Sequence, residues 1–138
     1  MNSKTQAPPT GSGDSVGGLA TGDLFLELLA RRDFPGMAGC LAPDVRFRAL
    51  LPPRDVDVTG PDAVLAEFRR WFGDDSETLE MVDAAVGEFG ARLYLRWRIR
   101  LSSEDGAGGS RVVEQHAFAT IGEHIETLNL LCSGFVDG

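Results

Sequence analysis

Between Leu93 and Leu101 the chain reads Leu-Tyr-Leu-Arg-Trp-Arg-Ile-Arg-Leu, a strict alternation of apolar and polar or aromatic-polar side chains. Successive side chains of a β-strand point to opposite sides, so Leu93, Leu95, Trp97, Ile99 and Leu101 share one side and Tyr94, Arg96, Arg98 and Arg100 the other. A strand with three guanidinium groups on one face predicts a sheet that is dry on one side and wet on the other. Further runs over about 78–88, 111–121 and 124–135 read as strands, separated by the turn-like Glu88-Phe89-Gly90, 104–110 and Gly122-Glu123. In the run 111–121 the drier side holds Val113, Gln115, Ala117, Ala119 and Ile121, and the wetter side Glu114, His116, Phe118 and Thr120. Antiparallel pairing of these two strands sets Glu114 across from an arginine.

The first half of the chain has helical periodicity. Thr21 is a candidate N-cap for a helix to about Arg32 with Leu24, Phe25, Leu28 and Leu29 on one side. Asp33 caps a short second helix, with Pro35 in its first turn, Met37, Ala38 and Leu41 facing inward and Pro43 closing it. Val45, Phe47 and Ala49 alternate with Arg46 and Arg48 as a strand, and the segment Leu-Pro-Pro-Arg-Asp-Val-Asp-Val-Thr-Gly after it reads as a loop. Gly60-Pro61 opens a third helix whose stripe of Val64, Leu65, Phe68, Trp71 and Phe72 lies opposite Asp62, Glu67, Arg69 and Arg70. Residues 1–19, rich in Gly, Pro, Ser and Thr, predict a flexible tail, and 20–138 a single domain.

Helices followed by strands give an α+β domain, with three N-terminal helices packed in the concavity of a curved, four- to five-stranded, mostly antiparallel sheet. Such a cone-shaped roll has room for a small, largely apolar molecule between its layers. Phe25, Phe47, Phe68, Trp71 and Trp97 either stack on a flat ligand or fill the core. Gln115, polar on the dry side, either meets a ligand or satisfies backbone groups. Cys132 faces inward with no base beside it and reads as a small apolar filler. Cys40 and Cys132 lie far apart without metal-ligand spacing, which predicts reduced thiols and no metal.

A formal charge of −8 opposes a general affinity for nucleic acid. No stretch approaches the roughly 20 apolar residues that span a bilayer, so no membrane partner is expected. The first residues lack the apolar run of a secretory signal, which places the chain in the cytoplasm. All but one of the 13 basic residues are Arg, a bias that fits a GC-rich bacterial genome.

Four motifs stand in order: Arg32-Asp33-Phe34; Leu41-Ala42-Pro43-Asp44-Val45-Arg46-Phe47; Gly60-Pro61-Asp62-Ala63-Val64; and Val113-Glu114-Gln115-His116-Ala117-Phe118, followed by Ile125 and Leu130-Leu131-Cys132-Ser133-Gly134-Phe135. Over about residues 19–136 they resemble the SnoaL-like group of the nuclear transport factor 2-like superfamily. The resemblance implies a cystatin-like roll, a fold shared by ketosteroid isomerases, limonene-type epoxide hydrolases and polyketide cyclases, and also by binders without turnover. It also allows a residue-by-residue test. The isomerase's helical Tyr falls on Phe25, its strand base on Ala49 and its second Asp near Ala117. The final-strand Asp of the epoxide hydrolases and cyclases falls on Leu130, and the inner strand of the hydrolases on Leu95-Arg96-Trp97-Arg98. The standard acids are therefore absent.

By the same resemblance the loop holding Arg54, Asp55 and Asp57 lies at the cavity mouth, and the outer face of the sheet meets solvent or a second copy, giving a homodimer. The expected ligand is polyketide- or terpenoid-like, lined by Phe25, Phe47, Ala49, Phe68, Trp71, Trp97, Gln115, Leu130 and Cys132. The alternative is a cofactor-free cyclase, isomerase or epoxide hydrolase of bacterial secondary metabolism with Asp55, Asp57 or His116 as catalytic groups. No cofactor is expected in either case. On the wetter side of its strand, His116 is a structural residue unless the register slips by one.

Overall fold

The structure, a computed structural model, describes residues 12–52, 54–104 and 108–138, and for 12–17 the backbone alone. The arginine-rich alternation becomes an interior strand, next to one edge of a seven-stranded sheet. In chain order the elements are α1 (Ser12–Ala30), α2 (Phe34–Ala38), β1 (Leu41–Leu50), β2 (Asp55–Thr59), α3 (Pro61–Phe72), β3 (Glu77–Phe89), β4 (Arg92–Ser103), β5 (Ser110–Ile121), β6 (Ile125–Cys132) and β7 (Val136–Asp137). The strands lie in the order β2-β1-β6-β5-β4-β3, with the short β7 paired to β5. All pairs are antiparallel except β1 with β6. The α+β class and mostly antiparallel sheet agree with the sequence pattern, and the strand count exceeds four to five.

The two extra strands have a plain origin. Asp55-Val56-Asp57-Val58-Thr59 alternates with period two, and its backbone pairs with β1 from Arg46↔Thr59 to Leu50↔Asp55. The predicted loop is thus the second strand of a hairpin; the flanking Pro-Pro and Gly mark its ends. Pro43, predicted to close α2, lies inside β1 instead. The second extra strand is β7.

Helix α1 begins at Ser12, ahead of Thr21, and so runs through the last part of the segment read as a tail; residues 1–11 lie outside the described residues. Its buried positions are Gly18, Gly22, Phe25, Leu26 and Leu29, while Leu24, predicted to face inward, is 47% exposed. The stripe is rotated because Gly22 is part of it. A Cβ there would stand 2.9 Å from a Val86 methyl and 3.0 Å from one of Leu93, so the missing side chain lets the helix lie directly on β3 and β4. Helix α2 starts as predicted, with the Asp33 carboxylate accepting from Gly36 N at 2.9 Å. Helix α3 buries Val64, Leu65, Phe68 and Phe72 against the sheet, and also Glu67, predicted to face water.

The core lies between these helices and the inner face of the sheet, where Val45, Phe47, Leu95, Trp97, Ile99, Leu101, Val113, Ala117, Leu128 and Leu130 are buried. Each large side chain removed from water contributes about 1.5–3 kcal/mol before conformational entropy is subtracted. The outer face carries ion pairs between neighbouring strands: Arg96–Asp83 at 3.1 Å, Arg98–Glu114 at 2.6 Å and Arg100–Glu80 at 3.0 Å. No helix among the described residues is long and apolar enough to cross a membrane.

Candidate functional site

The register of β4 against β5 decides which polar groups reach the interior. Trp97 pairs with Gln115, and Arg96 with His116, so Gln115 points inward and His116 outward. Inside, Trp97 Nε1 donates to Gln115 Oε1 at 2.7 Å, and Gln115 Nε2 donates to Cys132 Sγ at 3.3 Å. The buried amide is therefore satisfied by side chains, without a backbone partner and without a ligand. Around this pair the rings form a continuous cluster. Phe25 meets Phe68 at 5.8 Å between centroids and Trp97 at 6.5 Å; Phe68 meets Phe47 at 5.8 Å and Trp97 at 6.3 Å.

Phe25, Phe47, Phe68, Trp97 and Gln115 have no surface open to water. In this conformation the middle of the cone is filled by its own side chains. Trp71 and Cys132 are half-buried; Trp71 lies 6.2 Å from Phe47 and 5.2 Å from Phe68 between ring centroids. Ala49 and Leu130, two of the expected lining residues, are cross-strand neighbours and buried.

Asp55, Asp57 and His116 all face the other way. Asp55 and Asp57 alternate with the inward Val56 and Val58. They border a groove of about 420 Å³ on the outer face, whose walls are Arg48, Leu50, Phe118, Asn129 and Leu131 and whose floor reaches Ala49, Val56 and Leu130. Asp57 accepts two hydrogen bonds from Arg46, Nη2 at 2.9 Å and Nε at 3.2 Å. Those bonds, with the charges of Arg46 and Arg48, hold its carboxyl below the usual range, so it stays ionised and is a poor proton donor near neutrality. The sheet thus separates these acids from Trp97, Gln115 and the core phenylalanines, whereas Ala49 and Leu130 reach the groove of Asp55 and Asp57 and Cys132 shares a hollow with His116.

Two charged pairs lie nearer the interior than the sequence pattern predicts. Glu67, its side chain 10% exposed, accepts from Arg54 Nη2 at 2.8 Å, tying the end of the β1–β2 connection to α3. Arg111 donates to both oxygens of Glu77 at 3.1 and 3.0 Å, with its guanidinium 4.6 Å from the Phe135 ring centre. A signal for Glu67 exists in the sequence: it precedes Trp71 by one helical turn, at the border of the apolar stripe. Cys40 and Cys132 are free thiols, and burial pushes the Cys40 thiol up from its ordinary value. Among the described residues no three His, Cys, Asp or Glu side chains are grouped to hold a metal.

Comparison with solved structures shows where this arrangement recurs. A provisional polyketide cyclase from Xanthomonas campestris superposes with a TM-score of 0.68 at 19% identity, over 86% of this chain and 91% of that one. An LEH-like epoxide hydrolase of M. tuberculosis gives 0.64 at 13% identity, over 86% and 84%. An NTF2-like protein of unknown function from Burkholderia pseudomallei gives 0.61 at 23% identity, over 83% and 88%. At such identities the likeness is one of fold. No curated protein matches the chain in sequence. The family model for the SnoaL-like domain matches residues 23–124, most of the chain, and with the helix-lined sheet described above it places this protein in the SnoaL-like family.

Proposed function

We propose that this chain binds one small, largely apolar molecule, polyketide- or terpenoid-like in character, between its helices and the inner sheet face, and does so without turnover. The observation behind this reading is the chemistry of that face. Its centre is aromatic and aliphatic, with Gln115 as the single polar group between the ion-paired Arg111 at one end and the apolar Ala119 at the other. Apolar concave sites with few, well-placed polar groups are the usual form of a small-molecule site. Because the rings already touch, the ligand enters by displacing side chains beside the half-buried Trp71, and Gln115 exchanges its bond to Trp97 for one to a ligand carbonyl or hydroxyl.

Titration with anthraquinone and related flat polycycles tests this reading. The expected result is saturable quenching of indole fluorescence with no product by mass spectrometry, the quenching being greatly reduced in Trp97→Phe. Flat fluorescence across the panel overturns binding, and product formation that depends on Gln115 overturns the absence of turnover.

The partner we infer is a second copy, paired through the outer sheet face. Leu50, Phe118 and Leu131 are 55%, 41% and 50% exposed and line one groove, an apolar patch of the kind that marks an interface.

A further inference from the structure

The outer face also holds a chain of four side chains that the binding reading leaves unused. Tyr94 Oη lies 2.6 Å from His116 Nδ1, and His116 Nε2 lies 2.7 Å from Glu114 Oε2. The other oxygen of Glu114 accepts from Arg98 Nη2 at 2.6 Å and Nε at 3.0 Å. An ionised carboxylate only accepts, so His116 Nε2 carries the hydrogen; Nδ1 of the neutral imidazole is then bare, and Tyr94 donates to it. The order is hydroxyl, imidazole, carboxylate, the arrangement by which a base activates a nucleophile and a third group orients the base.

The sheet register supports this order. Tyr94 pairs with Phe118, Arg96 with His116 and Arg98 with Glu114, so the three residues sit on consecutive outward positions of two paired strands. The His116 side chain is 35% exposed, and with Glu114, Leu131, Cys132 and Ser133 it lines an open hollow of about 440 Å³. Phe118 and Phe89 flank the phenol ring at 5.1 and 6.2 Å between centroids, an aromatic platform beside the hydroxyl.

The geometry points to a reactive site on the outer face, apart from the proposed binding site, in which Tyr94 accepts an acyl group from an activated aryl ester with His116 as base and Glu114 as its orienting carboxylate. In the first step Tyr94 Oη attacks the ester carbonyl carbon while its proton passes to His116 Nδ1. The new bond is phenolic oxygen to acyl carbon, the broken bond is acyl carbon to aryl oxygen, and the aryl oxide leaves with the proton returned from His116. In the second step water, deprotonated by His116, cleaves the tyrosyl ester to a carboxylic acid and restores the phenol.

The experiment uses 4-nitrophenyl acetate and the full chain carrying Leu50→Arg, so that the face is open whether or not two copies pair there. Tyr94 is the only tyrosine in the chain. A tyrosyl acetate is therefore assigned without ambiguity by peptide mass mapping, apart from any adducts on Lys4, Cys40, Cys132 or the amino terminus. The expected result is an acetyl adduct on Tyr94 that is absent in Tyr94→Phe and forms at least about tenfold more slowly in His116→Gln, with a smaller loss in Glu114→Gln. A Tyr94 adduct that forms equally fast in His116→Gln, with circular dichroism unchanged, reduces Tyr94 to an ordinary surface phenol and overturns the site. So does the absence of a Tyr94 adduct together with 4-nitrophenol release no faster than in Tyr94→Phe.

Discussion

Gln115 carries more of the interior than its size suggests. It holds the Trp97 indole N–H through one amide atom and reaches Cys132 with the other. Gln115→Leu keeps the volume but leaves a buried N–H without an acceptor, and the expected loss is about 1–3 kcal/mol in chemical denaturation. An unchanged midpoint would mean that the indole finds another acceptor. At the same scale, Glu114 is held below the usual carboxyl range, chiefly by its hydrogen bond from Arg98 and then by that from His116. A folded pKa below the unfolded one contributes stability above the unfolded value and loses it as pH falls through the folded one. Wild type is therefore expected to exceed Glu114→Gln in melting temperature at neutral pH, with the gap closing below about pH 4. Melting curves across that range check the sign.

Among the elements, α1 is placed by an absence. Gly22 lets the helix backbone approach Val86 and Leu93, and Gly22→Val puts a branched side chain where even a Cβ is too close. The expected loss is about 1–3 kcal/mol, the usual range for overpacking. Gly87, on the neighbouring strand, has open space around it. Gly87→Ala is expected to leave the denaturation midpoint unchanged or slightly raised, so the pair separates crowding from the general effect of adding a methyl group. The short β2 shows the reverse case, an element legible in the sequence once alternation is weighed against its flanks. Asp55, Val56, Asp57 and Val58 follow the strand period, and the prolines before them only mark the hairpin connection.

For the molecule as a whole, the sheet is a partition. Against its inner face lie Phe25, Phe47, Phe68 and Trp97 and on its outer face Asp55, Asp57, His116 and Tyr94, so a ligand bound among the inner rings meets none of these polar groups. If the outer apolar patch pairs with a second copy, Leu50→Arg is expected to shift the chain from dimer to monomer in sedimentation equilibrium without loss of helix or strand signal. A wild-type chain that sediments as a monomer removes the inferred interface.

What the amino-acid order determined by itself is the alternation: along β1, β4 and β5 it set Trp97 on the other side from Arg96 and Gln115 on the other side from His116, because a strand's side-chain period is two, and the register of β4 against β5 settled that Trp97 and Gln115 are the inward ones. It also determined the helix stripe of α3 and the Asp33 cap, since both depend on neighbours within a turn or two. Only the tertiary structure decided which residues meet. Glu67 found Arg54 from another element, Tyr94 found His116 across a strand pair, and the rings of α1, α3, β1 and β4 closed over the space between the layers. Contacts between residues far apart in the chain depend on register, on close packing of helix against sheet and on the size of what fills the gap, and no local period encodes those.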